Sequence, residues 1–308
     1  MRFWYLVVAG TLMLAAAFGV ANLVNPSLLN GKHTPDVQVT SDTPQATVSP
    51  TPTVVSTAAP KGNLPGWKMI YSQDFNKDAG LGHFDKVYST KLMGYNGFFD
   101  HANKGTGLYA PLRVLSAHDS LLDYYLHTEN GNPLIAAVTP TGYKGQKYGR
   151  YVMRFKADLA PGYRLACLLW PDGEKEDRAL WEKGEIDFPE VNLDARANPT
   201  TGLTPSINGF SHDTTGHPAL NRLQFVTNER AQTWHTAIIE WTPTRVTFSL
   251  DGKKSATTTD LAGIPQSKMH WVLQAQTSST TRVKPDADVA GHIYIDWIAQ
   301  YAYDPTGE

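Results

Sequence analysis

The sequence predicts an all-β protein, a β-sandwich of the jelly-roll type, and three observations carry that expectation. Short segments alternate apolar and polar residues with period two, the pattern of a strand with one face in a core. Between them recur Gly, Pro, Asn and Asp, the residues that turn a chain tightly. Long helical periodicity is absent, and no internal repeat indicates a propeller or a solenoid.

Taken in chain order, the first element is an N-terminal segment, residues 1–29, in which residues 3–24 follow Arg2 without a formal charge. The small residues of "TLMLAAAFGVAN" offer a signal-peptidase site, for example after Ala21. The run also reaches the ~20 apolar residues that cross a bilayer, so a signal peptide and an uncleaved membrane anchor are both expected readings, and both export the remainder. Residues 30–63 form a linker. Pro, Ser and Thr dominate residues 34–60 and aromatic residues are missing, so this stretch lacks the apolar surface needed to offset its ordering entropy. Folded structure is expected to begin between Gly62 and Trp67, and residues 64–308 to make one domain. Within it "YVMRFKAD" alternates from Tyr151, "HTAIIEW" follows Trp234, and "RVTFSL" meets an Asp251-Gly252 turn before "KKSATT". "WVLQAQT" and "IYIDWIAQYAY" supply later strands.

Composition narrows the function. A chain of 308 residues with 41% hydrophobic and 11% aromatic content has ample material for a core. A formal charge of -2 argues against nucleic acid as a partner, because phosphate-backbone binding shows as a basic excess. The single cysteine, Cys167, lies in the apolar run "RLACLLW" and reads as a buried small side chain. Neither His-Glu-x-x-His nor Gly-x-Ser-x-Gly occurs, which speaks against zinc and serine hydrolases.

The stretch "KGEIDFPEVN" concentrates three acids, Glu185, Asp187 and Glu190, at uneven spacing. Glu185 and Asp187 share a strand face, and Ile186 and Phe188 assign the other face to the core. Simple alternation would send Glu190 to the core side. Pro189 has no N–H and is tolerated inside a sheet only at an edge or a bulge. A bulge adds one residue and returns Glu190 to the face of the other two acids. Two carboxylates across a groove are the equipment of glycoside hydrolysis, and a retaining reaction wants them about 5 to 5.5 Å apart. Four effective strand steps put the α-carbons about 13 Å apart, a gap that long side chains on a concave sheet can largely close. Asp187 between them would discourage joint ionisation of the glutamates. Gln274 and Gln276 alternate with Leu273 and Ala275 and are expected to face the groove, and Trp170 and Trp181 are the aromatic candidates for stacking on sugar rings.

"GEIDFPE" resembles the active-site signature of glycoside hydrolase family 16 in its bulged form, Glu-x-Asp-x-x-Glu, as in laminarinase-like members. "KYGRYVMRFKA", "WHTAIIEWTPTRVTFSLDG" and "IYIDWIAQYAY" extend the resemblance over residues 62–303. It implies a concanavalin-like jelly roll with a concave substrate groove, with Glu185 as nucleophile, Asp187 as assisting acid and Glu190 as general acid/base. The implied activity is that of a retaining endo-glycosidase acting on β-1,3- or β-1,3/1,4-glucan. A transglycosylase or a galactan-cleaving enzyme would share these residues, whereas a non-catalytic sugar-binding jelly roll would not need the acid trio. His212 in "NGFSHDT" resembles a family histidine that lies near the acids. In the segment "GYRLACLLWPDG", Arg164 and Leu168 stand near positions where the family carries tryptophan. The family binds calcium on its outer face, for which Asp296 alone offers itself here, so no cofactor or catalytic metal is expected. The expected partner is a polysaccharide, met outside the cytoplasm by a monomer that is either secreted or tethered to the membrane.

Overall fold

The structure, a computed structural model, describes residues 58–89, 92–100, 106–172, 181–196, 205–277 and 284–307, and for Trp181 the backbone only. The N-terminal apolar segment and all but the last residues of the linker therefore lie outside the described residues. Among the described residues, no helix is long and apolar enough to cross a membrane.

The strands are β1 (Trp67–Gln73), β2 (Leu108–Tyr109), β3 (Leu115–His118), β4 (Leu121–Glu129), β5 (Asn132–Ile135), β6 (Ala137–Val138), β7 (Gly149–Ala157) and β8 (Tyr163–Pro171). They continue as β9 (Ile186–Asn192), β10 (Ser206–His212), β11 (Asn221–Arg230), β12 (His235–Thr242), β13 (Arg245–Leu250), β14 (Lys253–Thr258), β15 (Met269–Thr277) and β16 (Gly291–Tyr303). Two one-turn helices, Phe84–Val87 and Pro111–Val114, accompany them. Among the described residues the strands make two sheets, so the all-β sandwich expected from alternation is the fold. The larger runs β14-β13-β12-β7-β16-β4-β5-β2, with β1 added on β16 and β3 on β4. The smaller is β11-β10-β9-β8-β15-β6, antiparallel throughout.

The core lies between the sheets. Phe155, Trp241 and Phe248 enter it from the larger sheet, and Leu165, Cys167, Ile186, Phe188 and Leu273 from the smaller, all essentially without solvent exposure. Phe188 meets Phe248 edge to face with ring centres 5.6 Å apart, and Tyr151 meets Trp271 likewise at 5.5 Å. The Tyr124 hydroxyl donates to the Leu273 carbonyl at 3.0 Å, a polar tie between sheets. Burial also pushes the Cys167 thiol well above its ordinary range, which makes it an inert core residue.

Local chemistry explains the turns. Asp251 and Gly252 both take positive φ, 52° and 75°, as a two-residue hairpin between twisted strands requires. The Asp251 carboxylate then reaches back to β12, accepting from the Thr236 N–H at 2.8 Å and pairing with His235 Nδ1 at 2.7 Å. These contacts fix the larger sheet on which the functional sheet rests.

Candidate active site

The three acids sit where β9 carries an extra residue. Glu190 pairs with Ala166 of β8 and Asn208 of β10, and Asp187 pairs with Leu168 and Phe210. Between those pairs each neighbouring strand has one residue, Cys167 or Gly209, where β9 has two, Phe188 and Pro189. That is a β-bulge at the proline, flanked by cis geometry of the Phe188-Pro189 peptide. Residues directly opposite share a face, and Ala166 and Leu168 are two apart on β8. Asp187 and Glu190 therefore share the outer face of the smaller sheet, while Ile186, Phe188 and Val191 fill the core. Gly209 has to be glycine: a Cβ there would lie 2.5 Å from the Phe225 ring and 3.0 Å from Phe188. Gly184, at φ +93°, delivers Glu185 into the strand, and the Glu185 carbonyl accepts from the His212 N–H at 2.9 Å.

A proton network ties the acids to His212. Its Nδ1 lies 3.2 Å from the Pro218 carbonyl, which only accepts, so Nδ1 carries a proton. Nε2 lies 2.8 Å from Asp187 Oδ2, and a single proton occupies that contact. The Pro218 carbonyl is held by a loop built on Asp213, a fully buried carboxylate that accepts from the N–H and hydroxyl of Thr215, the His217 N–H and Arg222. Burial alone would raise the Asp213 carboxyl, but these hydrogen bonds outweigh it and hold it well below the usual range. Glu185, Asp187 and His212 converge, with one ligand-type atom from each within 4.8 Å of the others. Burial pushes Glu185 well above the ordinary carboxylate range; the Asp187 charge adds to this and His212 works against it. Burial likewise raises Asp187, helped by Glu190 and opposed by hydrogen bonding to Glu185 and by Arg164.

Glu190 is engaged differently. Its Oε1 forms an ion pair with Arg164 Nη2, and both side chains are largely buried. A position near one expected from the resemblance to carry tryptophan thus holds a cation against the third acid. Of the other expected site residues, Trp170 is half-buried on the same outer face, opposite His270 of β15. Gln274 and Gln276 share that face, opposite Ala166 and Arg164. Gln274 is nevertheless covered, since the Tyr109 hydroxyl donates to its Oε1 at 3.0 Å. The side chain of Trp181 lies outside the described residues. Asp296 pairs with Arg154 Nη1 at 2.5 Å.

Sequence reasoning did not find the aromatic wall beside the acids. Tyr95 packs on Tyr109 at 5.0 Å and on Phe98 at 5.5 Å, and Tyr143 packs on His270 at 5.3 Å. Tyr95 is buried close enough to Glu185 for that carboxylate's charge to add to the upward push on its phenol. Phe98, Phe99 and Tyr143 keep 41%, 41% and 57% of their surface exposed, enough to meet a ligand. The signal was present in "GYNGFF", a glycine-rich stretch unusually dense in rings.

A sandwich whose outer face gathers three acids beside exposed rings defines a carbohydrate-cleaving class of protein. The sequence profile described as "Glycosyl hydrolases family 16" matches residues 128–299, more than half of the chain, and the protein belongs to that family of glycoside hydrolases. No curated protein sequence matches the chain. Among solved structures, the laminarinase from Rhodothermus marinus is similar, with 19% identity and a TM-score of 0.59, covering 78% of this chain and 99% of that one. LamA from Z. galactanivorans, solved as a variant with laminaritriose and laminaritetraose, gives 16% identity and a TM-score of 0.58 over 76% and 98% of the two chains. An endo-acting O-glycanase of the human gut microbiota that initiates mucin breakdown gives 14% and 0.57 over 77% and 100%. At these identities the likeness to solved structures concerns the fold.

Proposed function

We propose that the protein is a retaining endo-β-glucanase acting on β-1,3- or β-1,3/1,4-glucan by double displacement. The observation that carries this is the bulge at Pro189, which sets Glu190 on the face of Glu185 and Asp187. In the first step Glu185 attacks the anomeric carbon while Glu190 gives its proton to the departing sugar oxygen; in the second, Glu190 takes a proton from water as that water displaces Glu185. Asp187, when protonated and bonded to His212, places no negative charge beside Glu185 and so lets the nucleophile ionise. Tyr143, Phe98 and Trp170 offer ring faces to the sugar chain, and Gln276 offers an amide. A solved laminarinase and LamA bound to laminari-oligosaccharides, both of similar fold, support glucan over galactan.

We also infer that residues 64–308 are the catalytic domain, working without a cofactor as a monomer outside the cytoplasm, secreted or held by the N-terminal segment. Fractionation that finds the full-length chain protected in the cytosol would overturn export. Incubation with a panel of β-glucans and galactans, with linkage analysis of the products, tests the substrate. Internal cleavage of laminarin or mixed-linkage glucan is the expected result, and cleavage of galactans alone would transfer the assignment to the galactan-cleaving class. Binding to glucans with no cleavage of any member of the panel would favour a sugar-binding module.

A further inference from the structure

We propose that His270 is a substrate-positioning residue whose Nε2 accepts a hydrogen bond from a hydroxyl of the sugar next to the bond being cleaved, with Asp172 holding the ring for that task; this rests on the glucanase reading. Strand register brings it to the site. Leu169 stands opposite Ile186, so Trp170, the next residue of β8, comes beside Glu185, and His270 of β15 stands opposite Trp170. Glu185, Trp170 and His270 therefore form one row across the outer face of the smaller sheet. Two strand spacings, roughly 10 Å, separate the first from the last, the reach of a neighbouring sugar and not of the reacting carbon. Tyr143 closes the row, its ring edge-on to His270 at 5.3 Å. Tyr95 packs on Tyr143 at 6.3 Å and lies close enough to Glu185 to feel its charge.

A carboxylate fixes the tautomer of the ring. Asp172 Oδ1 lies 2.9 Å from His270 Nδ1, and Asp172 Oδ2 accepts from the Gly145 N–H at 2.8 Å. Gly145 has to be glycine for this, because a Cβ there would lie 2.6 Å from both carboxylate oxygens and 2.5 Å from the Met269 carbonyl carbon. An ionised carboxylate only accepts, so Nδ1 carries the ring proton and Nε2 is left with its lone pair. Burial lowers His270 below its ordinary value, against the pull of Asp172, and keeps the ring neutral at pH 7. Among the described residues nothing bonds to Nε2, and 7% of the side chain stays open, enough for one edge-on hydrogen bond and not for stacking. An acceptor so nearly buried is costly unless a ligand satisfies it.

The competing role is that of a strap, in which the pair merely fastens residues 143–146 to the end of β15. Gln146 and Met269 already exchange backbone hydrogen bonds there, at 3.0 and 2.9 Å. A strap has no use for the open nitrogen, so the two roles separate by experiment.

The test compares KM and kcat on laminarin for the native enzyme, His270→Phe and His270→Gln. Phenylalanine keeps a flat ring and removes the acceptor. KM should rise about fivefold with kcat within about twofold, the loss of one neutral hydrogen bond made alike in the ground and transition states. Glutamine sets an amide near the place of Nε2 and should return KM to within about twofold of native. Nitrogen NMR gives a second readout with His270 in place, its signals assigned by their absence in His270→Phe. In Glu185→Gln, which keeps the site but lacks the nucleophile, His270 should be protonated at Nδ1 alone, and its Nε2 resonance should move at saturating laminaritriose. In Asp172→Asn the single amide oxygen is taken by the Gly145 N–H, so the amide NH2 faces Nδ1 and the ring proton should be found on Nε2. An unchanged KM in a folded His270→Phe, a KM that glutamine does not restore, a ring protonated at Nε2 while Asp172 is present, or an Nε2 resonance that laminaritriose leaves in place overturns the role of His270 and leaves the hydrolase reading intact. A native protein that cleaves no glucan overturns the glucanase reading instead.

Discussion

Asp187 concentrates the residue-scale physics of the site, because its buried carboxyl is held above the ordinary range beside a histidine whose other nitrogen is already committed. The folded state then binds more protons at Glu185 and Asp187 than the unfolded chain does at neutral pH, so their contribution to stability is full below the unfolded carboxylate range and is lost as pH rises toward the folded values. Asp187→Asn removes one of these charges while its amide still donates to His212 Nε2. A melting temperature about 2–4 °C higher at pH 7 is expected, fading near pH 4, together with a fall in turnover. Calorimetry at both pH values beside an activity assay checks this, and an unchanged or lower melting temperature at pH 7 would contradict it. Asp213 has the opposite sign. Its folded value is depressed, so its contribution is present above the unfolded range and is lost as pH falls; Asp213→Asn should lower the melting temperature at pH 7 and have little effect in strong acid. The acids were legible because they lie within six residues of one another, and His212 because it follows them in a resembling segment. The pairing of Arg164 with Glu190 and the nearness of Tyr95 to Glu185 were not, since nothing local marks residues 26 and 90 positions apart that only the fold brings together.

At the scale of elements, the proline was the readable sign. A residue without an N–H, set between residues that must alternate, implies a bulge, and the registers on both sides of β9 place two residues against one there. Deleting Pro189 should restore plain alternation and leave Asp187 and the former Glu190 two apart on one face. A folded and at least partly active protein is expected, measured by circular dichroism and glucan cleavage. Loss of all activity in a variant with a native spectrum would show that the bulge is itself part of the catalytic geometry. Strands with one polar face, such as β7, β12 and β13, were visible from their period. By contrast β8, "YRLACLLWP", reads after Arg164 as an unbroken apolar run, since its inner face fills the core and its outer face is largely covered. The two-residue strands β2 and β6 are too short for any period to register.

At the scale of the molecule, the two ends of the folded part are tied together: the Gly66 N–H donates to the Gly307 carbonyl and the Asp304 N–H to the Gly66 carbonyl. A chain beginning at Lys61 retains every one of these bonds. It should match the full protein in melting temperature and in kcat/KM, and a loss in either would assign residues 1–60 a part in folding or catalysis. Phe188 joins β9, the strand that carries the acids, to the core against Phe225 and Phe248. Phe188→Ala should cost about 3–5 kcal/mol by denaturant titration, and activity should fall with the fraction folded. The one measurement that bears most directly on the assignment of Glu185 and Glu190 is the anomer first released from a β-glucan, followed by proton NMR before mutarotation. Two inversions through a Glu185 ester give the β-anomer first. The α-anomer appearing first would mean a single displacement by water and would contradict Glu185 as nucleophile.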